Sequence, residues 1–260
     1  MSRVVVDIIR KTYPRRMGGE ELVALKDIRF VIDEGEFVCL VGPSGCGKTT
    51  ILNLVSGLDS AFEGEILIDG ERPPGPGIGY MFQNPRLMPW LTVSENVQLV
   101  LPDQERGQGR VDALLTEMGL AEFAEAYPGR LSGGMQRRVA LARAFVTDPG
   151  QLLLDEPFLS LDAPVANRLR QLLLDLYGGR PITVLFVTHD LREALFLADR
   201  ILFLSPRPAR VVLDLAVDLP RPRDPEGAEI EGLRLKLLDQ HPDLLAGLAQ
   251  PAEDLDVLGT

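Results

Sequence analysis

The stretch that decides the fold of this 260-residue chain is Gly42-Pro43-Ser44-Gly45-Cys46-Gly47-Lys48-Thr49. It satisfies the pattern G-x-x-x-x-G-K-[ST]. It follows a short apolar run that ends at Val41, and it precedes the apolar helical run ILNLVSGL. A strand, a glycine-rich loop and a helix in this order are the context in which the pattern binds phosphate. The sequence therefore predicts a nucleotide-binding P-loop at residues 42–49.

The chemistry of this loop follows from its residue types. The glycines let backbone amides converge on phosphate oxygens, and the helix that follows presents its positive N-terminus. Lys48 can reach the β- and γ-phosphates, and the hydroxyl of Thr49 can ligate Mg²⁺. The predicted nucleotide-binding residues of the loop and the first helical turn are Gly42, Pro43, Ser44, Gly45, Cys46, Gly47, Lys48, Thr49 and Thr50.

A second apolar run, Leu152-Leu153-Leu154, ends in two acids, Asp155 and Glu156, before Pro157. This is the form expected where a buried parallel strand emerges beside a bound magnesium nucleotide. Asp155 would organise the magnesium shell, and Glu156 could accept a proton from the attacking water as general base. Taken alone, the pair could equally be solvated acids before a proline turn.

Composition excludes several classes of function. The chain has 27 basic and 38 acidic residues, a net charge of −11, so it offers no basic field to a nucleic acid and none is expected as a partner. No apolar run reaches the roughly 18 to 20 residues of a membrane-spanning helix. Two cysteines, Cys39 and Cys46, are too few for a disulfide framework or a zinc site. The N-terminus has the form of neither a signal peptide nor an anchor, so we expect a cytoplasmic protein.

Short apolar strands alternate with helical stretches, which predicts an α/β fold with a parallel sheet and an antiparallel portion near the N-terminus. Residues from about Thr92 to Phe145 have helical spacing without strand signals, so we expect an inserted helical subdomain. The expected division is a nucleotide-binding core at 1–91 and 147–225, a helical subdomain at 92–146, and a C-terminal helix and tail at 226–260.

The C-terminal third carries weaker signals. We expect two extended segments beyond Leu204 and an amphipathic helix from about Ala228 to Leu238. The residues 246–260 are expected to be loosely ordered.

The sequence Leu131-Ser132-Gly133-Gly134-Met135-Gln136 precedes a helical run, with Ser132 as a natural N-cap. Taken alone, it is either a second anion-binding helix start or simply a capped helix after a loop. With the P-loop upstream and LLLDEP downstream, the chain resembles the ATP-binding-cassette (ABC) ATPases, and no other P-loop family shows this trio. The resemblance extends from about Tyr13 to Leu215.

This resemblance implies roles for further residues. Tyr13 matches the aromatic residue that stacks on adenine, and Gln83 matches the glutamine that contacts Mg²⁺ and senses the γ-phosphate. His189 matches the histidine that contacts the γ-phosphate. Each residue also has a purely structural alternative: Tyr13 could lie at a strand edge, Gln83 could belong to a turn, and His189 could end a strand. The implied catalytic set is Lys48, Glu156 and His189, and the implied magnesium ligands are Thr49, Gln83 and Asp155.

The resemblance also implies a head-to-tail homodimer that encloses two nucleotides. Ser132, Gly133 and Gly134 would act on the ATP held by the P-loop of the second copy, and Asp162 lies in the loop that communicates across the dimer. Binding of ATP would close such a pair and hydrolysis would release it. Two departures from the family pattern concern the dimer contact: Gln151 at the start of the strand before Asp155, and Leu159-Ser160 in place of a Gly-Ala pair.

Segments around the only tryptophan indicate a subfamily. The strings LMPWLTV, EPF and FLADRILFLSPRPARVV are similar to ATPase subunits of nitrate, sulfonate and taurine importers. The resemblance implies that Gln83 to Val93 docks on a transmembrane permease, which a substrate-binding protein serves. It also implies a position on the inner face of the cell membrane. The alternative for Met88, Pro89 and Trp90 is that they fill the core of the helical subdomain.

Other functions stay open at this stage. The ATPase of another transport system, for a pyrimidine precursor or a lipid, would carry the same motifs. A non-transport ABC ATPase is disfavoured because the chain has neither a long coiled-coil insertion nor a second cassette. A nucleotide-binding scaffold without turnover is disfavoured because Glu156 and His189 are both present.

Overall fold

The structure, a computed structural model, describes residues 2–14, 21–74, 77–106, 109–179 and 182–242. The chain divides into two compact units. The P-loop unit comprises Met1–Gly75 and Thr183–Thr260, and the middle unit comprises Pro76–Ile182.

An antiparallel three-stranded sheet forms the first part of the P-loop unit. Its strands are β1 (Val4–Tyr13), β2 (Leu22–Ile32) and β4 (Glu63–Ile68), in the order β2-β1-β4. Val4, Val6 and Ile8 of β1 are buried and their neighbours less so, because successive side chains of a strand point to opposite faces. The partner strands keep this register: the residues opposite Val6 are Phe30 and Ile66, both buried.

A parallel sheet in the same unit carries the P-loop. β3 (Phe37–Val41) lies between β7 (Thr183–Thr188) and β8 (Arg200–Leu204) and is parallel to both, while β9 (Val211–Ala216) is antiparallel to β8. Every residue of β3 and β7 is buried, as expected of parallel strands covered on both faces. Since the last residues of β3 and β7 pair, the P-loop and His189 leave the same edge of this sheet.

Three helices complete the described part of the P-loop unit. They are α1 (Lys48–Val55), α6 (Leu191–Leu197) and α7 (Ala228–Gln240). α6 begins at Asp190, whose carboxylate accepts hydrogen bonds from the amides of Arg192 and Glu193. α7 packs against α6.

The middle unit contains two paired strands and four α-helices within its described residues. β5 (Ile78–Met81) is parallel to β6 (Gln151–Asp155). The helices are α2 (Val93–Gln98), α3 (Arg110–Glu117), α4 (Gly133–Phe145) and α5 (Ala163–Gly178). Short 3-10 helices lie at Asp103–Glu105, Ala121–Phe123 and Pro128–Arg130. α2 begins with a capping box, in which Thr92 and Glu95 each accept a hydrogen bond from the other's backbone amide.

The structure confirms the predicted α/β fold with an N-terminal antiparallel sheet, and the helix predicted from Ala228 runs to Gln240. One expectation is wrong: beyond Leu204 the described residues contain one strand, β9. Residues 205–210 instead form a turn, because Pro206 and Pro208 have no amide hydrogen to give a ladder.

Two predictions lie beyond what this fold decides. The residues 246–260, expected to be loosely ordered, lie outside the described residues. The division into 1–91 with 147–225, 92–146 and 226–260 stays a prediction.

None of the helices within the described ranges is both long and apolar enough to cross a membrane.

Gln151 is a polar residue in the interior of the middle unit. It is the first residue of β6 and is 1% exposed. Neither the oxygen nor the nitrogen of its side chain has a hydrogen-bond partner in the described part of the chain. A buried amide without partners costs roughly 1–3 kcal/mol, so this glutamine lowers the stability of the strand that ends in Asp155.

Replacing this glutamine by leucine, Gln151→Leu, should raise the free energy of unfolding by about 1 kcal/mol, because leucine has a similar volume and no polar atom to bury. Urea unfolding followed by circular dichroism measures the change. The same replacement at the exposed Gln171 of α5 is the control and should change stability by less than about 0.5 kcal/mol. A less stable Gln151→Leu protein would contradict the assignment of an unsatisfied amide.

Candidate nucleotide-binding site

The part of the P-loop that connects β3 to α1, residues 42–47, makes a turn that depends on glycine. Gly47 has a φ of 133°, and a Cβ at this position would lie 2.6 Å from Cδ2 of Leu25. A Cβ on Gly42 would lie 3.1 Å from the carbonyl oxygen of Leu204. Side chains at these two positions would force the loop away from β2 and β8, so glycine lets the backbone pass close to both strands.

Lys48 is the first residue of α1 and only 5% exposed. Its ammonium group donates hydrogen bonds to the carbonyl oxygens of Gly42, at 2.7 Å, and Pro43, at 3.1 Å. The positive charge is therefore held within the loop. Thr49 beside it is exposed and Thr50 is half-buried.

Cys46 is a protonated thiol at neutral pH. Burial raises the pKa of this thiol, and the positive charge of Lys48 offsets only part of the effect. Burial raises the pKa of Cys39 on β3 well above its ordinary value. Because the thiolate is the nucleophilic form of cysteine, neither side chain is activated as a nucleophile.

Tyr13, the predicted adenine-stacking residue, ends β1 and is half-buried. Its hydroxyl lies 3.3 Å from Oδ2 of Asp59 and 3.5 Å from Oγ1 of Thr50. The ammonium nitrogen of Lys11 lies 4.5 Å from the centroid of its ring. Since Thr50 belongs to α1, the structure brings Tyr13 into contact with the helix that follows the P-loop.

His189 directly follows β7, and its side chain is exposed. With Arg192 and with Arg234 of α7, it lines an open cavity of about 450 Å³. Glu231 of α7 forms ion pairs with both arginines. The C-terminal helix therefore lies beside the predicted γ-phosphate histidine.

Asp155, Glu156 and Gln83 belong to the middle unit. Asp155 ends β6 and is 3% exposed, whereas Glu156 is half-buried and Gln83 exposed. Glu156 has a φ of 43°, in the left-handed region. This conformation costs roughly 1–2 kcal/mol for a residue with a Cβ, so neighbouring groups have to hold the backbone there.

Arg137 of α4 supplies much of this support. Its Nη1 donates to the carbonyl oxygens of Pro157 at 2.9 Å, Gln83 at 3.3 Å and Glu156 at 3.4 Å, and its Nη2 donates to that of Leu159 at 2.6 Å. One guanidinium thus ties the helix that begins at the SGG sequence to Gln83 and to the segment that follows Asp155. Burial lowers the pKa of Arg137, which still stays charged at neutral pH.

Arg137 is not among the residues predicted from the sequence. A usable signal is its position within the helix: it lies two residues before Val139–Phe145, a run in which every residue is buried. A basic residue next to such a run has to find carbonyl or carboxylate partners on the inner side of the helix. The identity of those partners depends on loops that are distant in sequence.

The Ser132-Gly133-Gly134 sequence forms the start of α4. Ser132 is exposed and its hydroxyl accepts a hydrogen bond from the amide of Met135 at 3.3 Å. A Cβ on Gly134 would lie 2.7 Å from Cγ1 of Val165, whereas a Cβ on Gly133 would meet nothing within 4 Å in the described part of the chain. Packing therefore accounts for Gly134 and leaves Gly133 unexplained.

Asp162, the residue predicted to communicate across a dimer, is the N-cap of α5. Its carboxylate accepts a hydrogen bond from the amide of Val165 at 3.0 Å. The side chain is exposed. Ser160, two residues earlier, has a φ of 62°, so this loop contains a second strained backbone position after Glu156.

A groove of about 360 Å³ lies in the middle unit around the predicted docking segment. Its lining includes Tyr80, Phe82, Arg86, Met88, Leu99 and Val100. The rings of Tyr80 and Phe82 have centroids 4.1 Å apart, and the guanidinium of Arg86 lies 4.0 Å from the centroid of Phe82.

Trp90, in the same segment, is 70% exposed. The alternative in which Trp90 fills the core of the helical subdomain is therefore wrong. Pro89 is also exposed, and Met88 lines the groove rather than the core. The segment presents its largest apolar side chain to the outside of the chain.

Comparisons with known proteins define the family. A family model described as ABC transporter matches residues 25–159. The aliphatic sulfonates import ATP-binding protein SsuB 2 of Burkholderia cenocepacia is 44% identical over 227 residues, which are 86% of this chain and 84% of that protein. The aliphatic sulfonates import ATP-binding protein SsuB of Bacillus cereus is 40% identical over 240 residues, 91% of this chain and 95% of that protein.

A solved structure agrees with this assignment. The dimeric post-hydrolysis state of an ATP-binding cassette bound to ADP and Pi has a TM-score of 0.72 and 35% sequence identity, and it covers 84% of this chain and 100% of its own. The chain belongs to the ABC transporter family, among its ATP-hydrolysing cassettes. The predicted family and the predicted P-loop ATPase fold are confirmed.

Replacing Arg137 by methionine, Arg137→Met, should lower the turnover of ATP by about tenfold or more, because the carbonyls that hold Gln83 and Glu156 in place lose their donor and small misplacements in a reacting site are costly. The affinity for ATP should change by less than about twofold, since the P-loop belongs to the other unit. Steady-state hydrolysis and equilibrium nucleotide binding measure the two quantities.

The control is Arg138→Met on the same helix, because Arg138 donates to the carbonyl of Met118 and to none of these segments. It should retain near-normal turnover. Equal losses of turnover in the two variants would show that Arg137 supports the helix in general rather than the residues around Glu156.

Proposed function

We propose that this ATPase drives the import of a small anion through a separate transmembrane permease, with aliphatic sulfonates as the transported class. The similarity to two aliphatic sulfonates import ATP-binding proteins over 86% and 91% of the chain carries this proposal. A substrate-binding protein would deliver the anion to the permease. The ATPase would then lie on the inner face of the cell membrane, held there by the permease.

The groove and Trp90 support a docking role for the segment from Gln83 to Val93. An exposed tryptophan and an apolar groove with an arginine at its side are features of protein contact surfaces, which are enriched in aromatic residues and arginine. A short apolar segment of the permease would cover them. Since Arg137 binds the carbonyl of Gln83, a shift of this segment would also reach Glu156.

For hydrolysis, we assign Lys48 to charge stabilisation on the β- and γ-phosphates, Glu156 to proton acceptance from the attacking water, and His189 to the γ-phosphate. Residues Gly42 to Thr50 would bind the phosphates, through backbone amides at positions other than Pro43, which has no amide hydrogen, and Tyr13 would stack on adenine. Phosphoryl transfer to water needs positioning and charge stabilisation more than covalent catalysis, and these residues are all of the required types.

Mg²⁺ is the metal that the donor set fits. The hydroxyl of Thr49, the carboxylate of Asp155 and the amide of Gln83 are hard oxygen donors, and Mg²⁺ is typically bound by few protein oxygens together with water and phosphate. Among the described residues, no three His, Cys, Asp or Glu side chains form a metal-binding group. When bound, the ion would neutralise charge on the phosphates.

A homodimer would complete the site. Ser132 and Gly133 are exposed at the start of α4, and a Cβ on Gly133 would meet nothing within 4 Å among the described residues. A helix start of this kind suits the γ-phosphate of an ATP bound to a second copy, with Gly134 in the same turn. Asp162 is exposed and would face that copy. The related cassette bound to ADP and Pi is itself dimeric, which supports this proposal.

Replacing the proposed base, Glu156→Gln, should lower the turnover of ATP by at least about a hundredfold, because general-base contributions are roughly 10²- to 10⁴-fold. The variant should accumulate as an ATP-bound dimer, which size-exclusion chromatography with and without ATP detects. The exposed Glu122→Gln in the same unit is the control and should hydrolyse ATP normally. Unchanged hydrolysis by Glu156→Gln would remove Glu156 from this role.

Transport is tested with the permease and the binding protein reconstituted in proteoliposomes. An alkanesulfonate on the outside should stimulate ATP hydrolysis, and nitrate should stimulate it less. Trp90→Ala should lose this stimulation and co-purify poorly with the permease while it keeps its affinity for ATP, whereas Tyr127→Ala, at another exposed aromatic of the same unit, should not. Stimulation of ATP hydrolysis by nitrate but not by the alkanesulfonate would show that the transported class is not the sulfonates. A Trp90→Ala protein that keeps full stimulation and full co-purification with the permease would show that Trp90 does not belong to the docking surface.

A further inference from the structure

We propose that Lys11 and Asp59 are positioning residues that turn one face of the Tyr13 ring toward the base of the nucleotide. The inference rests on the proposed stacking of Tyr13 on adenine. It adds two residues, Lys11 and Asp59, that belong to none of the sequence motifs described above.

Lys11 is an unusual lysine because its side chain is only 2% exposed. Lysine is almost never buried to this extent unless its charge is paired. Here the ammonium group lies 2.6 Å from Oδ2 of Asp59 and donates to the carbonyl oxygen of Ala61 at 2.7 Å. These two contacts fix the position of the charge.

The fixed ammonium group covers one face of Tyr13. Its nitrogen lies 4.5 Å from the ring centroid, a distance at which a cation is attracted to the face of an aromatic ring. A planar base can therefore stack only on the opposite face. Because the ring is half-buried rather than fully enclosed, part of it stays accessible to a ligand.

Asp59 fixes the position of the hydroxyl end of the same ring. Its Oδ2, which pairs with Lys11, lies 3.3 Å from the Tyr13 hydroxyl, which donates to it. Burial alone would raise the pKa of this carboxyl group, but hydrogen bonds from Lys11 and from the amide of Ala61 bring the pKa below its ordinary value. Asp59 is thus a charged acceptor at neutral pH.

The same aspartate connects this cluster to the P-loop helix. The amide of Asp59 donates to the carbonyl oxygen of Asn53 in α1 at 3.1 Å, and the Tyr13 hydroxyl lies 3.5 Å from Oγ1 of Thr50 in that helix. Tyr13 is therefore held relative to the helix that carries Lys48. The geometry sets the distance between a base stacked on Tyr13 and phosphates bound at the loop.

The test compares two ligands, magnesium ATP and magnesium tripolyphosphate, which lacks the base. Lys11→Met should raise the dissociation constant of ATP about tenfold, which is about 1.4 kcal/mol, because the base would lose its stacking on the Tyr13 ring. The same variant should leave the affinity for tripolyphosphate unchanged. Lys26→Met, at an exposed lysine of β2, is the matched control and should alter neither value.

A double-mutant cycle with Tyr13→Ala separates positioning from general support. If Lys11 acts through the ring, Lys11→Met should cost nothing further in ATP affinity once Tyr13 is alanine. The same loss in both backgrounds, or an equal loss for tripolyphosphate, would overturn the proposal. If Lys11→Met fails to fold, the double variant Lys11→Met/Asp59→Asn, which removes both charges, replaces it in the same cycle with the same expected result.

The two ligands also distinguish this inference from the proposed function. Wild-type protein that binds neither ATP nor tripolyphosphate would lack the nucleotide site, and the inference would fail with it. Wild-type protein that binds both ligands with equal affinity would keep the phosphate site and overturn the inference alone.

Discussion

The turn from β3 into α1 is the constraint on which the rest of this molecule depends. A fully buried strand delivers the chain to a loop that passes close to β2 and β8, and glycine at positions 42 and 47 makes that approach sterically allowed. The ammonium group of Lys48 then donates to the first two carbonyls of the loop, so the loop backbone fixes the position of this positive charge. The buried strand thus determines the path of the loop, and the path of the loop determines the position of the Lys48 ammonium group.

In each unit, a buried or half-buried cation organises residues that come from distant parts of the sequence. Lys11 holds Asp59 and the ring of Tyr13 in the P-loop unit. Arg137 holds the backbone of Gln83 and of the segment from Glu156 to Leu159 in the middle unit. A desolvated cation is costly unless it is fully paired, so each arrangement is selective for one geometry. Both sets of contacts sit next to residues proposed to bind or hydrolyse ATP.

The sequence predicts a site residue well when the motif that contains it is continuous in sequence and lies at the end of a strand or the start of a helix. The P-loop, the acids at the end of β6 and the serine cap of α4 are each continuous in sequence, and the structure has each at the predicted junction of strand, loop or helix. Arg137 and Lys11 escaped prediction because their partners are backbone carbonyls and a carboxylate distant in sequence. Two extended segments were expected beyond Leu204, whereas the described residues there contain one strand, β9, because Pro206 and Pro208 have no amide hydrogen to give a ladder.

Gly133 is a position at which selection for folding differs from selection for contact with another molecule. Nothing within the described polypeptide opposes a side chain there, and most residues favour a helix more than glycine does. If folding were the only constraint, replacement of Gly133 by another residue would be tolerated and would stabilise the start of α4. Persistence of glycine among the descendants of such a sequence would measure the crowding exerted by a neighbour outside the chain.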